Sequence, residues 1–171
     1  MNAAEWKEKG LALHDLGRYE EALACYEQGL EIDPRDSDLW KNKSAALGAL
    51  GRHEEALACA ERGLEINPRD AALWGNKGLA LAHLSRHEEA LACFGRALEI
   101  APRESDLWTC KGAALGRLGR FEEALACYER GLEIDPRDSG LWVNKGLALR
   151  ALGRTGEAEA CFRRALELGG R

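Results

Sequence analysis

A chain of 171 residues, 46% of them hydrophobic and 31% charged, can bury a core and stay dissolved, which excludes a disordered tail. A formal net charge of -5 argues against a nucleic-acid partner, which calls for clustered Lys and Arg against phosphate. No apolar run is long enough to cross a bilayer and the start, MNAAEWKEKG, carries no signal-like stretch, so a cytoplasmic address without membrane partners is expected.

One interval orders everything that follows. Trp6, Trp40, Trp74, Trp108 and Trp142 stand 34 residues apart, and so do Pro34, Pro68, Pro102 and Pro136. The chain therefore reads as one tandem array, residues 1–171, of five units: 3–36, 37–70, 71–104, 105–138 and 139–171. With each Trp numbered as position 4 of its unit, the first helix of unit one surrounds Trp6 and ends at Gly17. Glu20 and Glu21 open the second helix beside its positive dipole end, and Asp33-Pro34 closes it.

Unit two repeats the plan. Leu39, Trp40, Ser44, Ala46, Leu47 and Leu50, then Ala56, Leu57, Ala60, Gly63, Leu64 and Ile66, fall at helical spacings on either side of Leu50-Gly51-Arg52. The glycine there is suited to the left-handed conformation that ends a helix. Ser37 in unit two, Ser105 in unit four and Ser139 in unit five are the expected N-caps of their first helices. Gly29, Gly63 and Gly131 lie inside second helices, where each costs about 1 kcal/mol relative to Ala, so a close helix approach is expected at each. Unit five departs at one letter: Glu159 stands where Leu23, Leu57, Leu91 and Leu125 stand, and Glu5 likewise replaces the leucine of position 3 in unit one. Both exchanges are expected to adapt end repeats to water.

With Gly112, Ala124, Tyr128 and Pro136 following Trp108, unit four carries the signature of the tetratricopeptide repeat family, and the chain resembles that family over its whole length. The resemblance implies an all-α fold, a right-handed superhelical solenoid of five antiparallel helix-turn-helix repeats. The departures are Lys at position 7 (Lys9, Lys43, Lys77, Lys111, Lys145) and Leu at position 11.

Little in the chain points to catalysis. Cys25, Cys59, Cys93, Cys127 and Cys161 recur with the repeat, and stacked helices hold such positions about 10 Å apart, too far for a disulfide or a shared metal. They are expected to pack as small hydrophobes. His14, His53, His83 and His87 show no ligand spacing and are expected to pack at the turns. The position 7 lysines are expected to lay their stems over the indoles and send their ammonium groups to carboxylates or water. No catalytic, cofactor-binding or metal-binding residue is assigned, and the chain is not expected to be an enzyme.

The resemblance also implies that positions 2, 5, 6, 9, 12 and 13 of the first helices line a concave face. The expected peptide-binding residues are Lys7, Leu11, Lys41, Asn42, Asn76, Leu79, Cys110, Arg117, Asn144, Leu147 and Arg150. Asn at position 6 offers a donor and an acceptor together and can pair with a peptide backbone. A clamp for a chaperone C-terminus is not expected: Lys7 and Asn42 fit that pattern but Leu11, Ala72 and Asn76 do not, and one unit on, Ala45, Asp106 and Cys110 break it. The expected function is a scaffold that binds a peptide segment of a partner protein of unknown identity. A monomer is expected, with end-to-end self-association as the alternative.

Overall fold

The structure is a computed structural model that describes residues 1–169. Ten helices and no strand occur among them: α1 Ala3–Asp15, α2 Tyr19–Ile32, α3 Ser37–Ala49, α4 His53–Ile66, α5 Ala71–His83, α6 His87–Ile100, α7 Ser105–Arg117, α8 Phe121–Ile134, α9 Ser139–Ala151 and α10 Thr155–Gly169. The chain divides into two compact units, Met1–Arg86 with α1 to α5 and His87–Arg171 with α6 to α10. In the first, α1 packs on α2, α3 on α4, and each hairpin on the next helix; in the second, α7 packs on α8 and α9 on α10 in the same way.

Each break between paired helices is a left-handed residue. Gly17, Gly51, Gly119 and Gly153 sit at φ of 73° to 74°, as their position after Leu leads one to expect. The third break is different, because Ser85 adopts φ 61° without being glycine. A side chain in that region costs about 1–2 kcal/mol, partly offset by the extra freedom glycine gives the unfolded chain. Ser85→Gly is therefore expected to raise stability by about 0.5–1 kcal/mol, read as a higher urea midpoint; an unchanged or lower midpoint contradicts it.

The first helices begin differently from the expectation. Asp36, not Ser37, caps α3, its carboxylate accepting from the amides of Asp38 (2.9 Å) and Leu39 (3.1 Å). Asp70 does the same for α5 and Asp138 caps α9 through the Leu141 amide alone, while Ser37, Ser105 and Ser139 occupy the first helical residue. An aspartate in extended backbone reaches the orphan amides and adds negative charge at the positive helix end, which outweighs a serine one residue later. Glu104, at the corresponding place before α7, makes no side-chain capping bond.

The recurrence of Trp with Pro has a direct cause. The indole Nε1 of Trp40, Trp74, Trp108 and Trp142 donates to the carbonyl of Pro34, Pro68, Pro102 and Pro136, at 2.9 to 3.0 Å. Each bond fastens a first helix to the loop before it. The helical glycines provide the close approach expected of them. A Cβ on Gly29 would stand 2.9 Å from Leu39, one on Gly63 2.6 Å from Leu73, and one on Gly131 3.0 Å from Leu141. Those three leucines are fully buried.

Between α6 and α7 the same places are filled otherwise. Ala97 replaces the glycine, Leu107 is only partly buried, and Ala101 replaces the Asp or Asn that at 33, 67 and 135 accepts from the amide two residues on. This junction keeps the Trp108 bond to Pro102 but lacks the glycine seat and the loop bond of its neighbours.

At the ends, Glu5 belongs to a capping box with Asn2, each side chain accepting from the other's backbone amide at 2.9 to 3.0 Å. Glu159 is exposed on α10.

Candidate functional site

The lysines of position 7 behave as expected. Lys9, Lys43, Lys77, Lys111 and Lys145 lie over their tryptophan rings, 5.1 to 5.9 Å from the centroid. Lys43, Lys77 and Lys145 also reach Glu27, Glu61 and Glu129 of the preceding second helix, each at 2.9 Å. These are struts between repeats, turned away from the first-helix face. Gly95 stands where Lys111 would find such a glutamate.

The cysteines outside Cys110 are buried and free of disulfides. Burial pushes the thiols of Cys59, Cys127 and Cys161 up, so the reactive thiolate is disfavoured. No group of three His, Cys, Asp or Glu among the described residues is placed to hold a metal ion. His14 meets Tyr19 edge to face at 5.0 Å, and His53 stacks on His83 at 4.3 Å with the rings nearly parallel.

On the first-helix face, position 5 of the first two repeats is committed to internal charge. Lys7 sits 2.9 Å from Asp36 and 3.5 Å from Asp38, and the Asp36 hydrogen bond holds its pKa above the usual lysine value. Lys41 sits 2.6 Å from Asp38 and 3.1 Å from Asp70; burial pulls its pKa down, and the bonds to both aspartates outweigh that and raise it. Asp36 and Asp70 are the capping residues of α3 and α5, so each lysine ties one repeat to the helix start of the next.

Position 6 is half-buried throughout its later copies. Asn76 donates from Nδ2 to the carbonyl of Lys41 at 3.2 Å, leaving its carbonyl oxygen open. Asn42 and Asn144 have no hydrogen-bond partner among the described side chains. Cys110 is half-buried, and burial followed by the charge of Asp106 pushes its thiol up.

Position 9 alternates, and this shapes the surface. Leu11, Leu79 and Leu147 are exposed by 40%, 42% and 44%, unusual values for leucines lying between packed helices. Ala45 and Ala113 take their place in the second and fourth repeats, each followed one turn later by Gly48 or Gly116. Small residues in one repeat beside a leucine in the next leave a hollow. In the first unit a hollow of about 280 Å³ is lined by Ala45, Gly48, Asn76 and Leu79, with Ser44, His53 and His83 at its walls. In the second unit a hollow of about 340 Å³ is lined by Ala113, Gly116, Asn144 and Leu147, with Arg117, Phe121 and Tyr128 at its walls.

The structure thus brings Asn76 and Leu79 together, and Arg117, Asn144 and Leu147 together. It ties Lys7 and Lys41 into ion pairs, and leaves Leu11, Asn42 and Cys110 outside both hollows. Arg150 is one turn beyond Leu147, its guanidinium 5.7 Å from the Phe162 ring centroid. The wall residues Ser44, His53, Phe121 and Tyr128 were not among those expected. The departure of Ser44 from the glycine of position 8 was the available signal for the first of them.

Three sequence profiles of the tetratricopeptide repeat match the chain, one over residues 43–111, one over 3–36 and 105–138, and one over 25–58 and 127–160. Together they run from residue 3 to residue 160. No curated protein matches. Among solved structures, MamA superposes with a TM-score of 0.84 at 20% identity, covering 94% of each chain. MamA from Desulfovibrio magneticus RS-1 gives 0.87 at 18% identity, over 98% of this chain and 94% of that one. YrrB, described as a TPR protein with an unusual peptide-binding site, gives 0.76 at 21% identity, over 95% of this chain and 84% of that one. At such identities the likeness is one of fold.

Proposed function

Because the chain belongs to the tetratricopeptide repeat family, whose fold suggests protein–protein interaction, we propose that it is a binding scaffold, not an enzyme, and that the first-helix face takes a peptide segment of a partner protein. The observation that carries this reading is the pairing of Leu79 and Leu147, each about two-fifths exposed, with the half-buried amides of Asn76 and Asn144 beside a hollow. An apolar side chain entering a hollow gains burial, and the amide satisfies the peptide backbone that burial would otherwise strip of water. The peptide-binding site printed for YrrB supports the reading by analogy of fold alone.

The test begins with a partner peptide recovered by affinity capture. Asn76→Ala with Leu79→Asp is expected to weaken its binding by tenfold or more, about 1.4 kcal/mol, whereas Arg62→Ala with Glu65→Ala on α4 leaves it unchanged. The opposite pattern rejects the proposal.

One observation favours a second reading, end-to-end self-association. Leu166 is 75% exposed, where its counterparts Leu30, Leu64, Leu98 and Leu132 are buried. Light scattering over a concentration series separates the two, since a strict monomer removes the second.

A further inference from the structure

The last helix exposes a face that the earlier second helices keep covered. Leu30, Leu64, Leu98 and Leu132 are at most 9% exposed, and Leu166, in the same place on α10, is 75% exposed. Phe162 is only half-buried, where Tyr26, Phe94 and Tyr128 are buried. Glu159, Phe162, Arg163 and Leu166 follow one another at i, i+3, i+4 and i+7 and so form one stripe of the helix. The other charges of α10 are engaged close by, Glu157 with Arg154 and Arg164 with Glu167, whereas Glu159 and Arg163 are exposed and make no ion pair among the described residues.

The interior of the array shows what covers such a stripe. Leu141 of α9 sits where a Cβ on Gly131 of α8 would stand 3.0 Å away, and Lys145, one turn on, reaches Glu129 at 2.9 Å. The numbers fall along one helix as they rise along the other, so the two are antiparallel, and the next turn sets Leu149 level with Leu125 in the same buried core. On α2, the helix α3 does likewise, with Leu39, Lys43 and Leu47 level with Gly29, Glu27 and Leu23. A covering helix of this array thus presents leucine, lysine and leucine, each four residues after the last. On α10 two of the three surfaces they would meet have changed: Arg163 takes the place of Glu129, and Glu159 that of Leu125.

We propose that this face of α10 docks an amphipathic helix of a partner protein, one that presents an apolar residue, an acidic residue four positions later and a basic residue four positions after that. The apolar residue packs on Ala165 and Leu166, its carboxylate meets Arg163 and its cation meets Glu159, running antiparallel to α10 as α9 runs to α8. The guanidinium suits bidentate pairing with the carboxylate. A second copy of this chain is a poor occupant, because its α1 would bring Glu5, Lys9 and Leu13 to the three places. That sets an acid on the apolar seat, a cation on Arg163 and a leucine on Glu159, a mismatch at every step. The other first helices, with lysine at the middle place, oppose Arg163 in the same way. This docking does not depend on the first-helix face.

The test uses the full chain and fluorescein-labelled sixteen-residue peptides, acetylated and amidated, in one Ala/Gln frame. They carry Leu-x-x-x-Glu-x-x-x-Lys, the charge-reversed Leu-x-x-x-Lys-x-x-x-Glu, or the first pattern with serine for leucine, and binding is followed by fluorescence polarisation to millimolar concentration. The first is expected to bind about tenfold or more tightly than either of the others at about 50 mM salt, with its advantage over the reversed peptide shrinking at about 500 mM. E159K with R163E is expected to invert the order of the two charged peptides, which a difference in their helix content would not do, and L166D to abolish binding of both. Unchanged thermal melting of each variant checks the fold, all three positions being exposed. Equal binding of the direct and reversed peptides, or no binding by any, overturns the inference and leaves the first-helix reading standing. Binding that survives L166D and is lost in L147D places the peptide on the first-helix face and overturns it too. A dimer in light scattering that L166D dissolves assigns the face to a second copy, with the same result.

Discussion

Leu141→Ala is expected to destabilise the chain by about 3 kcal/mol, and Leu107→Ala by about 1 kcal/mol, although the two leucines occupy the same place in their repeats. Leu141 is fully buried, seated 3.0 Å from where a Cβ on Gly131 would stand. Removing it opens a cavity between α8 and α9 that a rigid helix pair cannot close. Leu107 has Ala97 in the place that Gly131 takes for Leu141 and stays partly exposed, so its truncation removes less buried surface. The absence of a capping bond from Glu104 and of the loop bond at Ala101 leaves that junction freer to relax. Urea unfolding of both variants reads the difference. Equal costs contradict the view that the α6–α7 junction is the loosely joined one in the second unit.

A second large effect is expected from restoring the family pairing in the second repeat. In repeats one, four and five a glycine at position 8 admits an aromatic ring from the paired helix. A Cβ on Gly112 would lie 2.5 Å from Tyr128, and one on Gly146 2.6 Å from Phe162, while Gly10 meets Tyr26 in the same manner. The second repeat has exchanged both partners: Ser44 donates to the carbonyl of Ala56 at 2.8 Å, and Ala60 is fully buried where the ring would be. Ala60→Tyr alone is expected to cost about 2 kcal/mol through overpacking against Ser44. Ser44→Gly alone loses its hydrogen bond and weakens the helix, for about 1–2 kcal/mol. Combined, they recreate the arrangement of Gly112 with Tyr128, and the double variant is expected to exceed the sum of the singles by about 2 kcal/mol. Additivity within about 0.5 kcal/mol in a double-mutant cycle contradicts the pairing.

The same pair shows what the sequence makes legible. A strict interval of 34 residues is enough to set the breaks between paired helices, burial of the cysteines and the close approach at Gly29, Gly63 and Gly131, because each is repeated with its surroundings. Contacts that change from unit to unit were harder to read. Lys7 and Asp36 lie 29 residues apart, so the ion pair that commits Lys7 inside the protein becomes visible only when α1 and α3 are side by side. Asp36 and Ser37 are both good capping residues, and the choice between them turns on a backbone angle, ψ 102° at Asp36, that composition does not specify. The hollows depend on leucine and alanine alternating at position 9 together with glycine at position 12, a two-repeat pattern laid over the single one. Its letters were plain in Leu11, Ala45, Leu79, Ala113 and Leu147, but its consequence is a shape.

The proposed binding of a peptide on the first-helix face is tested most directly by backbone amide chemical shifts of the isotope-labelled chain, followed while the captured partner peptide is added. The largest changes are expected at Asn76, Leu79, Asn144 and Leu147 and the residues around them. Largest changes on the second helices, at Ile32, Glu65 or Leu166, would contradict it.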